Sequence, residues 1–347
     1  MRFAIKTRPE HQTWEEIRDA WIAADEIPLF ESAWNWDHFY PLSPPYDGPN
    51  FEAWTMLAAM AQATRRIRIG CQVTGMIYRH PAVLANMAAT VDIISGGRLE
   101  LGLGAGWNQM ECDAYGIDLP PLRERFDRFD EGVEAIVRLL SQTTTTFDGR
   151  YVKLTEAWCE PKPVQRPHPP VTIGGRGKKR TLRTVARWAQ QWNAIAESPE
   201  QWLELKEVLT GHCAALGRDV NEITCSVNVR VEPDGNLEPV VATVAGYAEV
   251  GVDLVIVNLP LHPNPDSLKP LAEALAPLAL SVLRLGQTLV HGPAGVGHHG
   301  LDAEFGEHVR GRLHLGRPAH RVPDRAVDDP LHAARVGSGQ LGGDVLA

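Results

Sequence analysis

Residues 2–14 read RFAIKTRPEHQTW, and how the chain leaves its first strand decides the fold. Arg2–Lys6 is a short apolar run of the kind a buried strand needs, and the chain then passes to Trp14 without a glycine. An open doubly wound sheet that binds a dinucleotide needs a Gly-rich turn at this first crossover, where the backbone approaches a pyrophosphate. Its absence favours a closed barrel, provided that the rest of the chain repeats the same unit.

It does. Strand-like runs follow at 29–34, 67–75, 98–104, 171–175, 192–196, 222–231 and 253–260. Between them, apolar residues three and four apart mark amphipathic helices at 14–24, 51–63, 81–94, 123–140, 179–189, 199–216, 240–250 and 267–278. Eight strands alternating with eight helices predict a single (β/α)8 TIM barrel over residues 1–280. Two insertions interrupt the repeat. Residues 106–121 form a long loop after strand 4. Residues 143–154, before strand 5, read as a hairpin turning at Asp148-Gly149. The Pro-rich stretch 159–170 should be an extended surface link, because proline lacks a backbone donor.

Beyond about residue 281 the character changes. Residues 281–347 contain no Lys, Ile, Met, Asn, Cys, Trp or Tyr, yet hold seven of the thirteen histidines. This His-, Gly- and Arg-rich tail has no sustained period, and reads as an out-of-frame translation of GC-rich coding sequence. A natural disordered extension is the alternative. A metal tract ranks third, since ligand spacing is missing. Low order is expected of it.

A net charge of −9 argues against non-specific nucleic-acid binding, which needs a basic surface. The five cysteines are odd in number and never in C-x-x-C spacing, which suggests reduced thiols in a cytoplasmic protein. The N-terminus has no apolar signal region, and no run is long enough to span a bilayer.

In a parallel barrel the functional groups gather where strands end at their C-terminal edge. The fifth strand ends in IGGRGKKRT. Gly174, Gly175 and Gly177 permit close approach of an anion, and a helix beginning near Lys178 would offer it free N–H groups. Arg176 and Lys178–Arg180 add charge; solvated basic residues on a tight turn are the plain alternative. The fourth strand ends in GLGAGW, a poor dinucleotide fingerprint because its last glycine is out of step. Small residues at Gly104, Ala105 and Gly106 would instead leave room for a flat ring, or simply pack closely. Thr74 and Gly75 end the third strand and suit a ring edge, or a turn. The second strand ends in WNWDHF, where aromatics around His38 would lower the dielectric and make its imidazole a tunable acid or base. Asp37 beside it could accept a ligand's hydrogen bond, or cap a loop.

These stretches, together with YGIDLPPLRERFDRFDEGVEAIVRLL, FDGRYVKL and KRTLRTVARWAQQWN, resemble the bacterial luciferase-like monooxygenase superfamily, and within it the branch using the deazaflavin coenzyme F420. The resemblance covers about residues 1–280. It implies a ring lying across the barrel mouth, backed by a non-prolyl cis peptide at Cys71-Gln72 or one residue beyond. It implies that Asp37 contacts the ring and that His38 is the catalytic imidazole. Thr74 and Gly75 would edge the ring, and Ala105, Gly106 and Trp107 would line its chain. Gly174, Gly175, Arg176, Gly177 and Lys178 would hold the phosphate. The implied activity is hydride transfer between F420 and a small organic substrate. Two alternatives stand beside it: an FMN-dependent monooxygenase fed by a partner reductase, and a non-catalytic flavin-binding barrel. Homodimers are common in this superfamily. The sequence departs from the pattern after GAGW, where NQME leaves Glu111 as the only nearby carboxylate, with its reach in question. AQQWN, with Gln190-Gln191, and Ile27-Pro28-Leu29 each replace a glycine-containing segment.

Overall fold

A computed structural model gives the fold and describes residues 1–288, with side-chain surroundings through residue 279. Eight parallel staves close into a barrel. They are β1 (Arg2–Lys6), β2 (Phe30–Asn35), β3 (Arg68–Cys71) continued by β4 (Thr74–Gly75), β5 (Leu99–Gly104), β8 (Val171–Gly174), β9 (Gln191–Ala194), β10 (Thr224–Arg230) and β11 (Leu254–Asn258). Sheet order runs β3-β2-β1-β11-β10-β9-β8-β5-β4, and pairing of Ile69 with Leu99 joins β3 to β5 and shuts the cylinder. The third stave is broken between β3 and β4 by a cis Gln72-Val73 peptide, the later of the two bonds the resemblance allowed.

The outer ring is α1 (Trp14–Glu26), α2 (Ala53–Ala63), α3 (Pro81–Ile94), α5 (Leu122–Ser141), α6 (Thr181–Trp188), α7 (Pro199–Ala215), α8 (Glu238–Glu249) and α9 (Leu268–Thr288). The helix starts carry the expected chemistry. Thr13 makes a capping box with Glu16 ahead of α1, and Pro81 and Pro199 open α3 and α7, where a missing N–H costs nothing. Helix α6 starts at Thr181, three residues later than Lys178: Gly175 has φ +130°, residues 178–180 form a turn, and Arg180 is the N-cap. Helix α9 runs past the boundary read at residue 280; the rest of the tail, 289–347, lies outside the described residues.

Both insertions differ in detail from the sequence reading. The stretch 106–121 contains a short helix, α4 (Gln109–Tyr115), ended by Gly116 at φ +67°. The hairpin consists of β6 (Thr145–Asp148) and β7 (Lys153–Ala157), so its loop spans four residues, not a two-residue turn at Asp148-Gly149. Glu131 accounts for the difference: its carboxylate accepts from the backbone N–H of Arg150, Tyr151 and Val152.

Strand parity sorts the core. Phe3 and Ile5 face the helices, while Ala4 faces inward to pack with Trp34, Leu254 and Ile256 in the barrel's own small cluster. Trp34 fills so much of the interior that a Cβ on Gly70 would lie 2.5 Å from its ring. Trp21, Trp54, Trp192 and Trp202 are buried between barrel and helices, and each such ring contributes on the order of 4 kcal/mol by removal from water. The same parity carries Lys6, Trp36, Gln72, Gly104, Gly174, Asn193, Asn228 and Asn258 to the C-terminal mouth. All five cysteines are buried and unbonded. No helix among the described residues is long and apolar enough to cross a membrane.

Candidate active site

The mouth holds a cavity of about 310 Å³. Of the residues singled out from the sequence, Asp37, His38, Gly75, Ala105, Gly106, Trp107 and Gly174 line it, drawn from four different strand ends. Thr74 lies just beneath, fully buried, its hydroxyl accepting a 2.8 Å hydrogen bond from the Trp54 indole. Gly175, Arg176, Gly177 and Lys178 continue from Gly174 on the loop outside the cavity. Gly177 and Lys178 border a separate shallow depression beside α5, with Leu122, Arg123, Phe126, Lys179 and Arg180.

The cavity's shape follows from missing side chains. A Cβ on Gly104 would meet Val73 at 2.6 Å, and one on Gly106, whose φ is +84°, would meet Ile77 at 2.7 Å. These glycines leave room for Val73 and Ile77, and their backbone contributes to the cavity lining. Around it stand buried polar atoms without a protein partner: Trp36 Nε1, Gln72 Nε2 and Asn228 Oδ1. Unpaired buried groups are costly, so a ligand with hydrogen-bonding edges would suit this lining.

His38 is one-tenth exposed and held from three sides. Its Nδ1 lies 2.6 Å from Glu111 Oε1, and the Trp107 ring meets it edge-on at 5.5 Å between centroids. Asn50 donates to its carbonyl. Glu111, on α4, is itself fully enclosed. It accepts from the Phe39 backbone N–H at 2.8 Å and from the Tyr78 hydroxyl. Burial opposes its ionisation, yet the bonds from His38, Tyr78 and Phe39 hold its carboxyl below the usual range. The Tyr78 phenol is pushed the other way, by burial and by the same carboxylate. With Glu111 ionised, Nδ1 of His38 carries a proton and donates it, which leaves Nε2 as the nitrogen open to a bound molecule. The doubtful reach of Glu111 is thereby resolved: α4 carries it to the imidazole.

Asp37 is wholly buried, and both its oxygens are engaged by Arg79, at 2.5 and 3.1 Å. Arg79 also donates to Glu52, the N-cap of α2. Burial pushes the Asp37 carboxyl up, against the pull of that guanidinium. Sequence reasoning missed Arg79, Tyr78, Glu52 and Glu111's role. The signal for the first two was their place in MIYRHP, immediately before a helix that starts at the barrel mouth.

Lys6 was missed as well. Ending β1 on the inward side, it donates to Gln72 O at 3.0 Å and Gln72 Oε1 at 3.1 Å, and its ammonium lies 5.6 Å from the centre of the Trp36 ring. The loop after β8 is more loosely held. Exposed Arg176 and Lys178 pair with Glu197 and Glu204 at 2.7 and 3.5 Å, contacts worth little in water.

The profile of the luciferase-like monooxygenase family matches residues 1–273. An uncharacterized protein of Mycobacterium tuberculosis is 32% identical over 231 residues, 67% of this chain and 77% of that one. An F420-dependent glucose-6-phosphate dehydrogenase of Microbacterium testaceum is 30% identical over 237 residues, 67% of this chain and 68% of that one. Among solved structures, an F420-dependent secondary alcohol dehydrogenase, in complex with an F420-acetone adduct, superposes with a TM-score of 0.71. At 19% identity, over 80% of this chain and 98% of that one, it speaks for the fold. Barrel, cavity and family profile agree: the chain belongs to the luciferase-like monooxygenase family and is an oxidoreductase enzyme.

Proposed function

We propose that this enzyme is F420-dependent and moves a hydride between the deazaflavin and a small organic substrate. The observation that carries this reading is the His38–Glu111–Tyr78 cluster at the edge of a cavity walled by Gly104 and Gly106. A protonatable group beside a cavity that can hold a redox ring is what coupled hydride and proton transfer needs.

The ring would lie against Gly104–Gly106, with Gln72, Asn193 and Asn228 available to its polar edges. Bound F420 supplies a ring carbon that gives or takes a hydride. The chain's own residues do the remainder. His38 exchanges the accompanying proton through Nε2, while Glu111, bonded to Nδ1, fixes the ring's tautomer and orientation. Trp36 and Trp107 line the cavity beside His38. The Asp37–Arg79–Glu52 chain fixes the end of β2 against α2, and so fixes His38 one residue on. Gly174–Lys178 would take the phosphate. The cations Arg123, Lys178 and Lys179 beside it would suit the longer carboxylate-bearing tail of F420, which FMN lacks.

Titrating the protein with F420 and with FMN, and following ligand fluorescence, tests this reading. Saturable F420 binding that weakens in Gly106→Val is expected. Binding of FMN alone would overturn the cofactor assignment.

A further inference from the structure

Next to the main cavity, and sharing Lys6, Trp36 and Leu42 with it, lies a second chamber of about 300 Å³. Its remaining walls include Arg8, Glu10, Arg230 and Asn258, contributed by the ends of β1, β10 and β11 and the loop after β1. Three cations face one carboxylate here, in a protein whose net charge is −9. That carboxylate is already committed. Glu10 accepts from the backbone N–H of Leu42 and Ser43 and from the Ser43 hydroxyl, and it pairs with Arg8 at 3.5 Å.

Lys6 and Arg230 make no ion pair among the described residues. For Lys6 this is unusual, because a partly buried ammonium loses hydration and ordinarily recovers it from a carboxylate. It has instead the two oxygens of Gln72 and the face of the Trp36 ring. Burial pushes it down to about 8, so it remains charged at neutral pH. Two buried polar atoms, Trp36 Nε1 and Asn258 Oδ1, also lack partners. The chamber thus presents positive charge with no carboxylate opposite it, at Lys6 and Arg230, and an unpaired N–H donor, beside the main cavity with which it shares Lys6, Trp36 and Leu42.

We propose that this chamber seats an anionic oxygen group of the substrate, a carboxylate or a phosphate, with Lys6 as its direct contact and Arg8 and Arg230 around it. The proposal rests on the reading of the main cavity as the site of the cofactor ring. It makes the substrate a molecule whose reacting carbon faces His38 and whose charged end passes Lys6.

The test is calorimetric titration of the full chain at pH 7 with malonate and with inorganic phosphate, at constant ionic strength in sodium chloride. One probe should bind saturably, and its identity tells carboxylate from phosphate. Lys6→Met should weaken it by about tenfold or more and Arg230→Gln by a smaller factor, with Lys153→Met unchanged. Arg230 is exposed, so its variant still decides the matter if Lys6→Met does not fold. Binding of neither probe, or binding unchanged in both variants, overturns the proposal. So does phosphate binding lost in Lys178→Met but kept in Lys6→Met. F420 titration of the same samples separates the two readings. Lys6-dependent binding of a probe without F420 binding would sink the cofactor assignment alone; the reverse would sink this proposal alone.

Discussion

Glu111 Oε1 lies 2.6 Å from Nδ1 of His38, across a separation of 73 residues. On the proposed reading, the imidazole is the proton-transfer group. His38→Ala is expected to lower kcat by about 10²-fold or more while leaving cofactor affinity within a few-fold, read by steady-state kinetics and fluorescence titration.

Glu111→Gln should act through that imidazole. It keeps the shape but not the charge, so kcat should fall by about 10- to 100-fold, with a changed pH profile. Stability checks the same bond. The folded carboxyl lies below its ordinary value, so its contribution is present above about pH 4.5 and is lost as the pH falls through the folded value. Urea midpoints of wild type and Glu111→Gln should therefore converge in acid.

Asp37→Asn should destabilise the fold by about 3 kcal/mol, because it leaves the Arg79 guanidinium buried with only Glu52 opposite it. Chemical denaturation at pH 7 reads this directly.

Lys6→Met should do the opposite and raise the melting temperature at pH 7, since an ammonium pushed down to about 8 opposes folding while it is charged. The sign is specific. Between about pH 8 and pH 10.4 the unfolded chain binds more protons than the folded one, so wild-type stability rises with pH and closes the gap. A gap that instead widens with pH would contradict the assignment.

Gly102→Ala should prevent correct closure, because the added Cβ would lie 1.8 Å from the Cys71 carbonyl oxygen, which is backbone and cannot give way. Loss of soluble protein, against normal yield for Ala substituted at exposed Gly211, would show it.

The periodic part of the molecule was legible. Short apolar runs placed every stave to within about two residues, and α3 was read with its bounds, because a proline opens it and a strand follows directly. The mouth was legible as a location, since strand ends converge there in any such barrel. Its wiring was not. Arg79 reaches Asp37 and Glu52 across long sequence gaps that no local pattern encodes. Helix α4 spans seven residues, too short to display a period, so the element that delivers Glu111 read as loop. Lys6 could have been found by continuing the inward parity of Ala4 by two residues. The start of α6 falls two to three residues after the 178–179 expected from the sequence, beyond the turn that follows Gly175.

Helix α4 is an excursion from the repeating β-then-α scheme, and the cylinder closes without it. The carboxylate that meets His38 thus comes from a stretch outside the closing staves. Changes on α4, residues 109–115, can therefore alter what stands beside the imidazole without touching a stave.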